Sequence, residues 1–514
     1  MAERIAGQSR VRNVVCLAVL SGSLLGCRNP SPPESRITIM QSEAPLTMDP
    51  GDHNATFTHD VLDPMYEGLT KFDQNLQIVP SLATKWSVDA SGTRWTLQLR
   101  SGVYFHDGTL FDAPAVVGSF ERLIDPHRGL AGASRLRTII DSVQAIDSHT
   151  VLFHLKTSYA SFLSVLAVTA IVSPAADKEG ILSRHAVGTG PYRFVEWKTG
   201  EYVLEERNDQ YWGRGPATRQ LKWTWTTEPM LMNMSVLAGA ADVVNPLPPI
   251  FAEALSHNRK AIVIQGREAR VYWIALNTKL KPLDDLRVRK ALNYATDQEA
   301  LVRTQLRGFG TPANSPLAPA DFAYDPHVKG YGYDPGQAKR LLAQAGYGNG
   351  LTVKIAVQEI DADLVEALQG MWAKVNVDLQ IDRMESGVFS QAIFGSPAQK
   401  AEQGIQGVFA SWVSEDLDPD YQLSPLYRTR AWSPGGANLG FYSNPRLDAL
   451  LEQAAGELHS ERRTELYNEA QQIISDDAPH VLLYYSRDLA ARHRATSAEP
   501  MYLLPGGRVE FDSP

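Results

Sequence analysis

Cysteine is almost absent: the 514 residues include only Cys16 and Cys27. That excludes a disulfide framework and any thiolate-rich metal site built on Cys-x-x-Cys spacing. Long apolar runs are missing too. Val14–Leu25 spans twelve residues, well short of the roughly 20 that a membrane-spanning helix needs. Positive charge is in deficit, with 49 Lys and Arg against 58 Asp and Glu and a formal net charge of -9, which argues against a dedicated nucleic-acid surface. There is no Gly-x-Ser-x-Gly elbow, and the 12 histidines form no His-x-x-x-His or His-x-His cluster. The common hydrolase and zinc signatures are therefore lacking, and no catalytic group, metal or cofactor is implied.

What is present describes a large folded body. Apolar residues make up 44% of the chain, and its length exceeds what one hydrophobic core usually serves, so at least two domains are expected. At the N-terminus, Arg4, Arg10 and Arg12 precede the short apolar run, which suits the core of a signal peptide. The run ends in Leu24-Leu25-Gly26-Cys27, which resembles the lipobox of bacterial lipoproteins. The expectation is a signal peptide over 1–26, lipidation at Cys27 and a polar, proline-rich tether over 27–36. A plain secretory peptide with an incidental cysteine is the alternative.

The chain is organised around Arg270 to Gly310. An apolar strand, Val271 to Leu276, leads through a turn to a helix that Asp284 or Asp285 can cap. Val288, Ala291, Leu292 and Ala295 recur on one face of that helix, and Asp297 caps a second one. Similar mixtures of strands and helices lie on both sides, so the segment reads as the passage between two lobes. Upstream, Trp86 and Val88 alternate before a turn, and Trp95, Leu97 and Leu99 alternate after it, a hairpin pattern. Asp112 caps a helix with Pro114 in its first turn, and Asp60 to Leu69 reads as a short helix. Gly188-Thr189-Gly190 is followed by no Lys-Ser or Lys-Thr; it reads as a tight backbone junction, not a phosphate loop. His106, beside Asp107 and Gly108, reads as a turn residue. Downstream, Leu351 to Val357 and Val377 to Ile381 alternate as strands around a helix carrying Leu364, Leu368 and Trp372. A right-handed crossover would make those strands parallel. Ile405 to Ala410 is a further strand, leading into an acidic loop from Trp412 to Asp420, and Val481 to Tyr485 is a short returning strand.

From about Ile37 to Arg492 the chain resembles the solute-binding proteins of bacterial peptide ABC importers, the extracellular solute-binding protein family 5. The resemblance rests on Pro80-Ser81-Leu82-Ala83 with Trp86-Ser87-Val88, on Leu99 to Gly108, on Val187 to Phe194, on Val288 to Leu292, and on Tyr333-Asp334-Pro335 with Ala338 to Leu342. It implies an α/β, two-lobed periplasmic-binding-protein fold of type II, of the large kind with an insert and a ligand cleft between the lobes. Lobe one would comprise 37–72, an insert at 73–185, 186–271 and the C-terminal 486–514; lobe two would be 272–485. The implied role is capture of dipeptides or oligopeptides on the periplasmic side of a bacterial membrane or at the cell surface. The protein would be lipid-anchored and monomeric and would deliver its ligand to the permease subunits of an importer. The family also includes binders of nickel, glutathione, opines and sugars. The alternatives are therefore a binder of an opine, an amino-acid conjugate or a metal complex, or a chaperone-like or sensing lipoprotein.

Site residues follow from the same resemblance. In peptide-binding relatives a carboxylate three residues after the loop tryptophan pairs with the ligand's α-ammonium group. Here that position is Glu415, three after Trp412, where the family usually has Asp; Asp416 could substitute after a small shift of the loop. Asp418-Pro419 falls on the family's Asp-Pro pair. Ala410 and Ser411 would offer a strand edge to an extended peptide. Arg428, Arg430 and Arg383 are candidates for the ligand carboxylate.

Overall fold

The computed structural model describes residues 35–496 and 501–511. Cys16, Cys27 and the signal segment lie outside the described residues.

A mixed sheet of eleven strands runs through the molecule, and two of its strands serve both lobes. Ala261–Leu276 and His480–His493 pair antiparallel, from Ala261 with His493 to Ala275 with His480. At one end of this ribbon Val243 and Val244 pair with Arg492 and Ala491, and the parallel strands Arg36–Gln41 and Gln220–Trp225 follow. At the other end Gly407–Val413 lies against Arg270 to Leu276. Leu351–Gln358 and Val377–Met384 complete that side, parallel to each other as the strand–helix–strand pattern requires. Buried side chains divide accordingly. One core runs from Ile37 to Val243, and two others lie between Val271 and Tyr485. The protein is a two-lobed α/β structure joined by its crossing strands.

Both crossing strands are longer than the sequence suggests. The apolar stretches Val271 to Leu276 and Val481 to Tyr485 are only their second-lobe halves. The remainder carries Gln265, Arg267, Glu268, Arg487 and Asp488, where the ladder shifts register between Gln265 and Glu268 and again before Arg270. Such bulges bend a strand and leave amides out of the ladder, so the ribbon is bent and incompletely paired where it passes between the lobes.

Local capping follows the sequence closely. Asp285 is the cap that forms, accepting from the Arg287 amide at 2.8 Å, and Asp297 accepts from Ala300 at 2.9 Å. Val288, Ala291, Leu292 and Ala295 are buried. In the first lobe Asp112 caps Ala113–Ile124 through the Ala115 amide at 3.0 Å. That helix covers a four-stranded antiparallel sheet in which Phe153 meets Phe120 and Phe162 edge-on at 4.8 and 5.1 Å. This sheet shares one continuous core with Ile37, Ile39 and Trp223.

Two local expectations are corrected. The helix expected from Asp60 to Leu69 is Thr56–Leu62, because Pro64 has no amide hydrogen with which to extend the ladder. Trp412 and Val413 belong to the strand Gly407–Val413, so the acidic loop starts only at Ser414. The glycine junction is as read: a Cβ on Gly188 would lie 2.1 Å from the Met65 carbonyl oxygen, and one on Gly190 2.5 Å from that of Pro64. His106 is fastened to this junction, its Nε2 3.0 Å from the Gly190 carbonyl oxygen.

Candidate ligand cleft

The acidic loop leaves the carboxyl end of a sheet strand, where ligands gather in open α/β sheets. Its carboxylates are used unequally. Asp418 caps the helix Pro419–Tyr427 through the Asp420 amide at 2.9 Å. It also takes a two-pronged ion pair from Arg463, with both contacts at 2.8 Å. Asp416 is fully buried and paired with Arg135 at 2.5 Å, while Ser414 donates to it at 3.2 Å. Arg135 in turn reaches the Tyr159 hydroxyl at 2.8 Å and lies 4.3 Å above the Tyr421 ring. Tyr159 donates to Asp420 at 3.1 Å.

Glu415 differs from its neighbours. It is half-buried and makes no hydrogen bond or ion pair among the described residues; its charge is felt by Arg508 and Tyr421. Trp412 is half-buried against Tyr421 at 5.9 Å, and its indole Nε1–H is buried without a partner. Pairing of Leu351–Gln358 with the loop strand ends at Val408. Phe409 to Val413 therefore have a ladder partner only on the side of the crossing strand. This stretch includes Ala410 and Ser411, so the free strand edge and the free carboxylate are close in sequence.

The structure adds residues that sequence reasoning missed. Arg270, on the first crossing strand, reaches the Ser411 hydroxyl at 3.5 Å. Burial pushes Asp361 and Asp488 up, and the Arg270 guanidinium opposes the shift in both. The Tyr272 and Tyr484 rings lie beside them, 4.9 Å apart and tilted by 39°. No local pattern marks Arg270; only its place on the crossing strand does. The C-terminal hairpin, Met501–Leu504 with Arg508–Phe511, also borders this region. Leu503 and Val509 rest on Ala490 and Ile264 of the crossing strands, and Leu504 meets Phe72 of one lobe and Leu417 of the other. Of the sequence candidates for a ligand carboxylate, Arg428 is buried against Glu452 at 3.2 Å. Arg383 pairs with Glu366, and Arg430 is exposed. Among the described residues no group of three or more His, Cys, Asp or Glu could hold a metal ion, and no helix is long and apolar enough to cross a membrane.

Residues 77–434 match the family described as bacterial extracellular solute-binding proteins, family 5 Middle. The glutathione-binding protein GsiB of Pectobacterium atrosepticum is 32% identical over 476 residues, 91% of each chain. The periplasmic binding protein DppA from Helicobacter pylori, solved in complex with the peptide STSA, is similar with a TM-score of 0.78 and 26% identity, covering 91% of this chain and 95% of that one. HbpA2 from Haemophilus parasuis gives 0.81 and 25%, with coverage of 93% and 100%.

Proposed function

Since the chain belongs to the family 5 bacterial extracellular solute-binding proteins, we propose that its cleft captures short peptides or peptide-like amino-acid conjugates by their amino end. The coarser role is that of the family: a periplasmic solute-binding component of an ABC importer, partnering the permease subunits and carrying out no catalysis. The observation that carries the finer reading is Glu415, the half-buried carboxylate of the loop left without a partner. An α-ammonium group suits it through a charge-assisted hydrogen bond. The open edge at Phe409 to Val413 would pair with the ligand backbone, and the unpaired Trp412 Nε1–H would meet a carbonyl oxygen. Asp416 and Asp418 hold the loop in shape from either side. The ligands named for two relatives, glutathione and a four-residue peptide, both offer an amino end and amide groups.

Capture would follow from the two-lobed form. A ligand touching both lobes binds the closed arrangement better and shifts the population toward it. The bulged ribbon at Gln265 to Arg270 is where the bend would be absorbed. Backbone pairing gives affinity with little regard for side chains, which suits an importer of mixed peptides. The lipid anchor at Cys27, outside the described residues, would hold the protein at the membrane; fatty-acid labelling should mark the wild type and not Cys27→Ser.

Native mass spectrometry of the purified protein tests the ligand class. Retained masses should correspond to short peptides or to one amino-acid conjugate. A single retained ligand without an amino group, such as a sugar, would overturn the reading.

A further inference from the structure

A cavity of ≈ 420 Å³ lies in the first lobe, within the roughly 300–1,000 Å³ of small-molecule sites. Its walls come from helix Thr56–Leu62 and the chain that follows it, from the turn around Tyr211 to Pro216, and from the C-terminal hairpin. No residue of the second lobe lines it, and none of the acidic loop does.

The charged groups at its wall sort into those already used and those left over. Glu67 is saturated, accepting from Thr189 at 2.8 Å, Tyr211 at 2.8 Å and Trp212 at 2.9 Å. Asp63 faces Arg508 at 3.5 Å and His59 at 3.9 Å. Three lining groups have no hydrogen-bond or ion-pair partner among the described residues: Glu510, and the exposed cations Lys71 and Arg214. Between them lie apolar and aromatic surfaces of Phe72, Tyr211, Trp212 and Tyr502. One free carboxylate, free cations and aromatic walls match a molecule with both charges and a ring. A purely anionic ligand would meet Glu510, and a purely cationic one would meet Lys71 and Arg214.

We propose that this cavity is a second binding site, for a free α-amino acid with an aromatic side chain. Its ammonium group meets Glu510, its carboxylate faces Lys71 and Arg214, and its ring lies among the aromatic walls. The state of Glu510 agrees. Burial pushes its carboxyl up to about 7, Asp63 adds to the rise, and Arg508 and Lys71 oppose it, while its charge is felt by Tyr211, whose hydroxyl donates to Glu67. Neither cation pairs with it directly, Arg508 being held by Asp63 at 3.5 Å, and a bound ammonium would keep it ionised. The site does not rest on the cleft reading, since a single lobe and the hairpin form it.

Calorimetric titration of the ligand-stripped full chain with L-phenylalanine tests this. Saturable binding is expected, about tenfold tighter at pH 8 than at pH 6, because the ionised form of Glu510 binds. Phenethylamine, lacking the carboxylate, and 3-phenylpropionate, lacking the ammonium, should each bind at least about tenfold more weakly. Glu510→Gln should lose both the affinity and its pH dependence while unfolding at a thermal midpoint no lower than that of the wild type. The radius of gyration in X-ray scattering should not change with phenylalanine, whereas a cleft ligand would contract it. The site is refuted by no binding at millimolar phenylalanine, by equal binding of phenethylamine, by a pH dependence that survives in Glu510→Gln, or by phenylalanine-driven contraction. A wild type that binds phenylalanine but no short peptide would refute the cleft reading alone.

Discussion

Arg135 and Asp416 meet at 2.5 Å across the two lobes. The arginine stands on the helix Ser134–Ile139 of the first lobe, and the aspartate belongs to the loop of the second. The Asp416 side chain is wholly buried and that of Arg135 about one quarter exposed (0% and 24%). Removing one partner of a buried pair leaves a desolvated charge and typically costs about 3–5 kcal/mol. Here the molecule has a cheaper response, because separating the lobes re-solvates Asp416. Arg135→Gln should therefore favour the open form of the ligand-free protein, seen as a larger radius of gyration in X-ray scattering. Asp416→Asn in the same background should restore part of the compaction. An unchanged radius in Arg135→Gln would show that the pair does not hold the lobes together.

Lys400 provides a stability prediction with a defined sign. Its side chain is fully buried; the Nζ donates to the Leu439 carbonyl at 2.8 Å and lies 4.8 Å from the Phe441 ring. Burial pulls its pKa down to about 7, against about 10.4 in an unfolded chain. The folded state thus prefers the neutral amine. Its contribution is fully present above the unfolded pKa and is lost as pH falls through the folded one. Lys400→Met removes the penalty and leaves the Leu439 carbonyl without its donor, an opposing cost of about 1–3 kcal/mol. The variant should be more stable than wild type in urea at pH 6, by about 2 kcal/mol, and the advantage should be gone at pH 9. A gain independent of pH would exclude titration of Lys400 as its source.

How much of this was legible depends on how local the cause is. The hairpin around Trp86 and Trp95 and the parallel pair Leu351–Gln358 and Val377–Met384 announce themselves by alternation, because one face of each is buried. Asp112 and Asp297 are legible as caps for the same reason: the bond each makes spans three residues. The first-lobe halves of the crossing strands are illegible, because Gln265, Arg267 and Arg487 are exposed where the sheet bends. The partners of Asp416 and Asp418 are hidden too. Arg135 is 281 residues from Asp416, and nothing local in either segment marks the pair. Glu415 was reached by counting from Trp412 along a resembled motif, and the structure adds that its carboxylate is the unpartnered one.

The glycine junction lies between these extremes: its residues are conspicuous, but their partner is remote. Gly188 lies against the Met65 carbonyl, where a methyl group would approach to 2.1 Å. Neither side can yield, because His106 donates its amide to Gly188 at 2.9 Å and Gly190 donates to Met65 at 3.1 Å. Gly188→Ala should destabilise the protein by about 2 kcal/mol or more, as overpacking does, read as a lower midpoint in thermal unfolding. Gly102→Ala, with open space around its Cβ and a φ of +74°, should lose only the smaller cost of the left-handed backbone, about 1 kcal/mol. Equal losses would mean that the close approach at Gly188 is relieved by backbone movement.

The remaining prediction concerns Glu415 and the ligand's amino end. The carboxylate is half-buried and unpartnered, and the nearby charge that feels it, Arg508, is already shared with Asp63 at 3.5 Å. A ligand ammonium enclosed there would gain a contact that water no longer screens. Breaking such a buried charged hydrogen bond typically costs roughly 2–5 kcal/mol, or about 30- to 5,000-fold in dissociation constant. Glu415→Gln preserves shape and removes charge, so it isolates the ionic part better than alanine. Titration with a short peptide that the wild type binds should show that loss. The N-acetylated form of the same peptide should bind wild type poorly, and Glu415→Gln should matter far less for it. Additive effects of substitution and acetylation would mean that the two groups are not partners. The same coupling found with Asp416→Asn, and absent with Glu415→Gln, would move the amino-end contact to the carboxylate that Arg135 now holds.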